Sequence, residues 1–424
     1  MNNSQLSTFN SPLIPPGYKQ TEVGVIPEEW DVEPLGALVG YTNGKAHEQS
    51  INDSGRFVVV NSKFISTEGS TRKYSEHSFC PASKGDVLMV MSDVPNGRAI
   101  AKCYWVETDE TYTVNQRICI LNPKGIDGKL LFYKLDRNPF YLAFDDGAKQ
   151  TNLRKDEVLA CPLGIPKSEA EQRAIATALS DVDGLLGGLD RLIAKKRDLK
   201  QAAMQQLLTG QTRLPGFHGE WEETTLGELA TFLSGGTPSR SNDDYWTGDI
   251  PWISASSLRC FEIWRSDSNV TKEAVAAGSK MAPVGSSLLL VRGSALHNEI
   301  LCGLVTQPVC FNQDVKALVP RSQVVPKFLT LFIKGTAEEF LKLVSSAGNT
   351  AGVLDTKLLK AFAINLPSVP EQTAIAEVLT EMDAELAALE QRREKTRTLK
   401  QAMMQELLTG RIRLVESGKL KVES

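Results

Sequence analysis

The sequence predicts an α+β protein with two mixed α/β globular domains in tandem. Two long helices separate these domains and are expected to form an antiparallel coiled coil with pseudo-two-fold symmetry. Three observations predict this class: an internal duplication, one long proline-free helical segment in each copy, and short apolar runs separated by turn residues. The length of 424 residues suits two or three domains, and 42% hydrophobic with 23% charged residues indicates a globular chain.

The duplication has a shift of 200 residues in its most similar part. Residues 171–214 and 371–414 align without a gap and are identical at 23 of 44 positions. Weaker matches precede each segment, including a tryptophan before Leu-Gly-x-Leu and the pairs Asn115-Gln116 and Asn312-Gln313. Each half therefore consists of a divergent globular part followed by a similar helical part.

These matches divide the chain into six segments. We expect a flexible N-terminal segment 1–21, a first globular domain 22–165, a helical spacer 166–214, a second globular domain 215–366, a helical spacer 367–412 and a C-terminal tail 413–424.

The two helical spacers carry apolar residues at alternating steps of three and four, which is the signature of a coiled-coil seam. Their predicted core residues are Leu179, Val182, Leu186, Leu189, Leu379, Met382, Leu386 and Leu389. Each spacer starts after proline (Pro166; Pro367 and Pro370) and ends at Thr-Gly, and a helix over 171–208 spans roughly 57 Å. Antiparallel pairing follows naturally from two half-chains related by a two-fold axis.

Charge and cysteine content limit the function classes. The net charge is −4, and no segment has a strong basic excess. If the chain binds DNA, its basic face must be local, or a partner must supply much of the phosphate neutralisation. Seven cysteines without a Cys-x-x-Cys pair indicate reduced thiols in a cytoplasmic protein. No signal peptide and no apolar run long enough for a membrane span is evident.

No motif for catalysis is complete. Asn138-Pro139-Phe140-Tyr141 lacks the second proline of an amino-methyltransferase motif, and no glycine-rich cofactor loop accompanies it. A P-loop and a His-Glu-x-x-His metal motif are also missing. We therefore expect no catalytic residue, no metal site and no cofactor in this chain.

The twin segments with Glu-Gln-x-Ala-Ile-Ala and Leu-Lys-Gln-Ala-x-Met-Gln-x-Leu-Leu-Thr-Gly carry a family resemblance. Ser234-Gly235-Gly236-Thr237-Pro238-Ser239-Arg240, Gly248-Asp249-Ile250-Pro251-Trp252 and Asn312-Gln313-Asp314-Val315 add to it. With these motifs the chain resembles the specificity subunit of type I restriction-modification systems over nearly its whole length. The first half departs from the pattern, because Asn43-Gly44-Lys45 stands where the second half has Gly-Gly-Thr-Pro-Ser.

The resemblance implies a DNA sequence-recognition subunit without catalytic activity. The two globular domains, 22–165 and 215–366, would be target recognition domains, and each would read one half of a bipartite asymmetric site in double-stranded DNA. The helices would set the gap and dock two methyltransferase subunits. Restriction-translocation subunits are further partners, and S-adenosylmethionine, ATP and Mg²⁺ are expected in the partner subunits. Two alternatives remain: a coiled-coil structural adaptor without sequence-specific DNA binding, and a free-standing enzyme.

Candidate DNA-binding residues are polar or basic side chains in loops after predicted strands, because hydroxyls and backbone amides hold phosphates while Arg, Asn and Gln reach base edges. In the first recognition domain they are Asn43, Lys45, Asn61, Lys63, Ser92, Lys149, Gln150 and Thr151. In the second they are Gly236, Thr237, Ser239, Arg240, Ser254, Ser256, Ser257, Arg292, Ser294, Asn349 and Thr350.

Overall fold

The computed structural model describes residues 14–95, 97–347, 351–415 and 419–421. The chain forms two compact units, the first from residues 1–189 with 392–424 and the second from 190–391. Each unit contains one globular head and a part of each long helix. The division therefore runs across both helices, whereas the segments predicted from the sequence follow the chain in order. We call residues 22–165 the first head and 215–366 the second head.

The first head and its flanking segments contain short strands and short helices, followed by the first long helix. In chain order they are β1 Tyr18–Thr21, β2 Gly24–Pro27, β3 Trp30–Pro34, α1 Leu35–Leu38, β4 Val39–Asn43, β5 Phe57–Val60, α2 Ser62–Ser66, β6 Tyr74–Ser75, β7 Pro81–Ala82, β8 Val87–Val90, β9 Ser92–Asp93, β10 Cys103–Trp105, β11 Tyr112–Val114, β12 Ile118–Pro123, α3 Gly128–Leu135, α4 Pro139–Leu142, β13 Thr151–Asn152, α5 Lys155–Leu159, β14 Pro162–Pro166 and α6 Glu169–Leu208.

The second head has a similar order of elements, with some additions, and leads into the second long helix. Its elements are β15 Glu222–Thr225, α7 Leu226–Leu229, β16 Ala230–Ser234, β17 Ile250–Ile253, β18 Glu262–Ile263, β19 Asn269–Val270, α8 Lys272–Gly278, β20 Met281–Ala282, β21 Ser287–Leu290, β22 Arg292–Gly293, β23 Cys302–Val305, β24 Val309–Phe311, β25 Val315–Pro320, α9 Pro326–Gly335, α10 Ala337–Leu341, β26 Val344–Ala347, β27 Ala351–Leu354, α11 Thr356–Lys360, β28 Ala363–Leu366 and α12 Val369–Leu407. The hairpin β29 Arg413–Val415 and β30 Lys419–Lys421 follows in the first unit.

The two heads have the same sheet topology. The first head has one sheet of order β10-β8-β12-β4 and a second of order β6-β5-β11-β7. The corresponding sheets of the second head are β16-β25-β21-β23-β18 and β19-β17-β24-β20, in which β18 is an addition. The parallel pair β5–β11 recurs as β17–β24. The duplication therefore extends through the heads, although their sequences have diverged.

Apolar runs form the central strands, as the sequence predicts. All four residues of Val87–Val90 are buried, and so are all four of Ser287–Leu290. Such continuous runs suit strands that are covered on both faces. Trp30 is fully buried in a cluster with Ile175 and Leu179 of α6, whereas Trp221 is only half-buried.

A glutamine at the start of each long helix joins the helix to its head. Gln172 accepts a hydrogen bond from the amide of Asp127 at 2.8 Å and donates to the carbonyl of Pro166 at 2.8 Å. Gln372 accepts from the amide of Val325 at 2.8 Å and donates to the carbonyl of Pro367 at 2.9 Å. Both glutamines are buried, so the repeated Glu-Gln motif has a structural role at each helix start.

The helix segments run antiparallel within each unit. In the first unit Lys400 of α12 pairs with Asp183 of α6 at 2.6 Å. In the second unit Lys200 of α6 pairs with Asp383 of α12 at 2.5 Å, which is the same contact shifted by 200 residues. Residues late in one helix thus meet residues early in the other, which confirms the antiparallel pairing predicted for the coiled coil.

The predicted seam residues differ in burial. Leu179, Leu189, Leu379 and Leu386 are buried, and Val182, Leu186, Met382 and Leu389 are half-buried. Leu179 shares a cluster with Leu407 and with head residues, and Leu379 does so with Leu207 and the second head. These two residues therefore pack against a head as well as against the other helix.

Both long helices end as predicted, but one starts differently. Gly210 and Gly410 follow the helices with φ of 72° and 74°, the left-handed conformation of a helix stop. Pro370 was expected to precede the second helix, and instead it lies in its first turn, because α12 begins at Val369. Proline is tolerated there, since the first amides of a helix have no acceptor within it.

Candidate nucleic-acid interface

In the first head, five strand ends meet at one edge of the two sheets. Strands β4, β5, β8 and β11 end there, and β12, which is antiparallel to β4 and β8, begins there. Backbone hydrogen bonds join the loops: the amide of Lys45 donates to the carbonyl of Val114 at 2.9 Å, and that of Asn115 to Val60 at 3.0 Å. The candidate residue Asn43 is the last residue of β4, and Lys45, Asn61 and Ser92 follow these strands; we call this place the strand-end edge.

The side chains after β4 and β5 have different environments. Asn43 is exposed, and its Oδ1 accepts a hydrogen bond from the Tyr41 hydroxyl at 2.6 Å. Burial raises the pKa of Tyr41, so this donor keeps its proton. Lys45 and Lys63 are exposed, whereas Asn61 caps helix α2 by accepting from the amide of Phe64 at 2.9 Å.

Ser92 belongs to a closed polar network. Its hydroxyl donates to Asn152 Oδ1 at 2.7 Å and accepts from Gln150 Nε2 at 2.7 Å. Ser92 is buried, whereas Gln150 is exposed and presents the network to solvent. Thr151 is buried and donates to Asp145 Oδ1 at 3.1 Å. Lys149 is exposed. The amides of Ala148 and Lys149 both donate to Asp146, and these hydrogen bonds lower the pKa of that carboxyl.

The second head has the same strand-end edge with other side chains. The amide of Gly236 donates to the carbonyl of Phe311 at 2.9 Å, and that of Asn312 to Ile253 at 3.0 Å. Thr237 donates to Gln313 Oε1 at 2.6 Å, and both are exposed. At the edge of this head, the turn that contains Gly236 is therefore followed directly by the hydrogen-bonded pair of Thr237 and Gln313.

An arginine stacked on tryptophan follows that turn. The guanidinium carbon of Arg240 lies 3.6 Å from the ring centroid of Trp246 and 5.1 Å from that of Trp252. Trp246 Nε1 donates to the carbonyl of Ser239 at 3.1 Å, and Trp252 Nε1 donates to that of Gly236 at 3.1 Å. Stacking on an indole fixes the plane of the guanidinium while its N–H groups stay accessible.

The remaining candidates of the second head lie after β17 and β21. The Oγ atoms of Ser254 and Ser256 are 3.0 Å apart, and Ser257 Oγ lies 3.1 Å from Ser266 Oγ. Arg292 and Ser294 are exposed. Asn349 and Thr350 lie outside the residues that the structure describes.

Several polar or basic residues at the edge were not among the sequence candidates. Gln116 donates to Glu48 at 2.9 Å, and the exposed Arg117 follows it at the start of β12. In the second head Lys316 Nζ donates to Ser234 Oγ at 2.6 Å. In the sequence, the repeated Asn-Gln pair could have indicated Gln116 and Arg117, because Gln116 belongs to this pair and Arg117 follows it directly.

Most cysteines are buried in the protein, and the Asn-Pro-Phe-Tyr segment forms the start of a helix. Six of seven cysteines are buried and all are free; burial raises the pKa of Cys119 to about 12. Asn138 caps helix α4 by accepting from the amide of Phe140 at 2.9 Å. Within the described ranges there is no group of three or more His, Cys, Asp or Glu that could hold a metal ion. Nor does any helix among the described residues have the length and apolarity to cross a membrane.

Comparisons with known proteins agree with the duplicated architecture. The family model of the type I restriction modification DNA specificity domain matches residues 27–193 and 218–397. The chain is 30% identical over 260 residues to the type I restriction enzyme EcoR124I/EcoR124II specificity subunit of Escherichia coli, which covers 60% of this chain and 63% of that protein. The chain thus matches less than two thirds of that relative's length.

Two longer matches span nearly the whole chain. The MjaVIII specificity subunit of Methanocaldococcus jannaschii is 23% identical over 421 residues, covering 92% of this chain and 94% of that protein. The solved structure of a type I restriction-modification S subunit from M. genitalium has a TM-score of 0.57 at 17% identity, covering 89% of this chain and 96% of that one. That structure shows the fold. Because the family model covers both heads and most of both long helices, the chain belongs to the type I restriction modification DNA specificity family.

Proposed function

We propose that this chain is the DNA sequence-recognition subunit of a type I restriction-modification complex, and that each head reads one half of a bipartite asymmetric site. One observation carries the proposal: two heads of the same topology present different polar side chains at the same strand-end edge. A common scaffold with divergent edges suits two different half-sites, because sequence is read by side chains at base edges.

The polar groups at the edge fit this role. The exposed Asn43 and Lys45 of the first head and Thr237 and Arg240 of the second are side chains that bind phosphates or base edges. Since the net charge of the chain is −4, we infer that partner subunits supply much of the remaining phosphate neutralisation.

The long helices would set the gap between half-sites and dock two methyltransferase subunits, with restriction-translocation subunits joining the assembly. Exposed leucines support helix docking: Leu192 and Leu199 of α6 are exposed in the second unit, and Leu399 of α12 is exposed in the first. A subunit docked on these helices would remove this apolar surface from water, which favours association. In this proposal the chain is non-catalytic and works in the cytoplasm, and S-adenosylmethionine, ATP and Mg²⁺ bind to the partner subunits.

Selection from a random-sequence DNA library tests the proposal. The chain is co-expressed with a methyltransferase subunit of its own system, and the purified complex is selected at fixed salt, because affinities depend steeply on salt. The expected result is enrichment of two short, different motifs with a constant gap. Binding without enrichment would contradict sequence recognition and favour a structural adaptor.

A further inference from the structure

Arg292 of the second head occupies the position that Ser92 occupies in the first head. The amide of Leu153 donates to the carbonyl of Met91 at 2.8 Å, and the amide of Leu354 donates to that of Val291 at 2.9 Å. In each head the next residue then pairs with a neighbouring strand: Ser92 pairs with Asn152 in the first head, and Arg292 pairs with Val353 in the second. The two positions are therefore equivalent in the fold.

The chemistry at this position differs between the heads. Ser92 is buried, and its hydroxyl is held between Asn152 and Gln150 at 2.7 Å each. Arg292 is exposed and faces Val353, which offers no polar side-chain group. Among the residues that the structure describes, no carboxylate lies within 4.0 Å of its guanidinium. Arg292 therefore presents an exposed guanidinium that has no carboxylate partner among those residues, and its N–H groups are donors available to a ligand.

The backbone that carries Arg292 is fixed. Its amide donates to the carbonyl of Asp314 at 3.2 Å, and β22 is paired with β27. The neighbouring Gly293 has φ of 154°, a conformation that favours glycine. Across the pair, a Cβ on Gly352 would lie 2.8 Å from Cβ of Leu296, so the ribbon packs closely on the helical turn Ser294–His297. A side chain on such a rigid element can be placed accurately against a base.

We infer that Arg292 is a specificity-determining residue that contacts a guanine in the major groove of the half-site read by the second head. The planar guanidinium matches the O6 and N7 acceptors of guanine, which is the commonest specific contact between proteins and DNA. The position supports this role because it differs between the copies, while the surrounding backbone contacts are the same. The inference rests on the proposed function and specifies it at one residue.

The test compares the wild-type complex with three variants in the library selection described above. Arg292→Ser copies the residue of the first head, and Arg292→Lys keeps the charge but loses the planar fork. Arg321→Gln is the matched control, because Arg321 is exposed and follows the opposite end of β25. Thermal unfolding and complex formation are measured for each variant to establish that all are folded.

Both Arg292 variants are expected to lose preference for guanine at one position of one half-site, by roughly 5- to 150-fold. The other half-site, the gap and the Arg321→Gln selection stay as in the wild type. An unchanged motif in both Arg292 variants would overturn the inference. Uniform weakening of all sequences, with the salt slope of Arg292→Ser reduced by about one, would also overturn it, because that result marks a phosphate contact. Absence of any motif in the wild type would overturn the proposed function, and the inference with it.

Discussion

Removing Arg213 is expected to destabilise the second unit strongly. Arg213 follows the end of α6 and pairs with Glu371 at the start of α12, with Nη2 2.6 Å from Oε2 and a second contact from Nε to Oε1. The Glu371 side chain is only 1% exposed, and its other polar contact is Trp221 Nε1 at 3.3 Å. Arg213→Met therefore leaves a buried carboxylate without its counter-charge.

Breaking this pair leaves the buried Glu371 carboxylate desolvated and without its counter-charge, which is strongly destabilising even though Arg213 itself is 26% exposed. We expect Arg213→Met to lower the free energy of unfolding of the second unit by clearly more than the roughly 1 kcal/mol that an exposed ion pair contributes at most. The double variant Arg213→Met with Glu371→Met should be less destabilised than the single one, since it removes both charges. The assay is urea unfolding of the full chain followed by tryptophan fluorescence and by hydrogen exchange of the second unit.

The matched control is an exposed ion pair of the same unit. Lys342 and Glu339 pair at 2.7 Å with both side chains more than half exposed, so Lys342→Met should cost less than about 1 kcal/mol. The equivalent of Arg213 in the first unit is Arg413, which binds Glu171 at 2.5 and 2.8 Å. If Arg213→Met costs no more than Lys342→Met, the pair does not anchor the helix and the reasoning is refuted.

Three further predictions concern a buried lysine, two glycines and the helix length. Burial lowers the pKa of Lys134 to about 7. Between pH 7 and 10 the folded state loses this proton while the unfolded state keeps it, so the free energy of unfolding of the wild type rises with pH. Lys134→Met lacks this proton, so the amount by which its free energy of unfolding in urea exceeds that of the wild type should shrink by about 1.4 kcal/mol per pH unit. A difference that stays constant with pH would refute this prediction. A Cβ on Gly235 would lie 2.2 Å from the Phe311 carbonyl oxygen, whereas one on Gly184 meets nothing within 4 Å. Gly235→Ala should therefore lower the melting temperature, and Gly184→Ala should raise stability by about 0.5–1 kcal/mol. Inserting four residues at the midpoint of each long helix adds about 6 Å and should widen the selected gap by about one or two base pairs; an unchanged gap contradicts the proposed spacer role.

The sequence predicted the parts of the fold that depend on local spacing. Apolar residues at steps of three and four predicted α6 and α12, and the duplication predicted that the same contacts would occur twice. The start of α12 at Val369 was missed by one or two residues, because proline breaks a helix interior but is accepted in its first turn. Patterns along the chain suffice where a helix repeats one period over many residues.

The environment of individual edge residues could not be predicted in this way. Asn61 and Ser92 were both chosen as polar residues after strands, yet Asn61 caps α2 and Ser92 is closed off by Gln150, which is 58 residues away in the sequence. Arg240 was chosen without its stacking on Trp246, since that contact depends on the path of the loop between them. Exposure of a loop side chain depends on tertiary partners that spacing does not reveal.

The contacts that recur in both units and those that differ have separate physical roles. The buried Gln172 and Gln372 make equivalent hydrogen bonds, and Glu171 and Glu371 make equivalent arginine pairs, at the junction of head and helix. A buried polar group that loses its partner costs more than an exposed one, so substitutions at these junctions destabilise the fold more than substitutions of exposed residues. Exposed side chains at the strand-end edge carry no such penalty and can change with little effect on folding. The energetics of this fold therefore allow the exposed edge side chains of the two heads to differ while the buried contacts between head and helix stay the same.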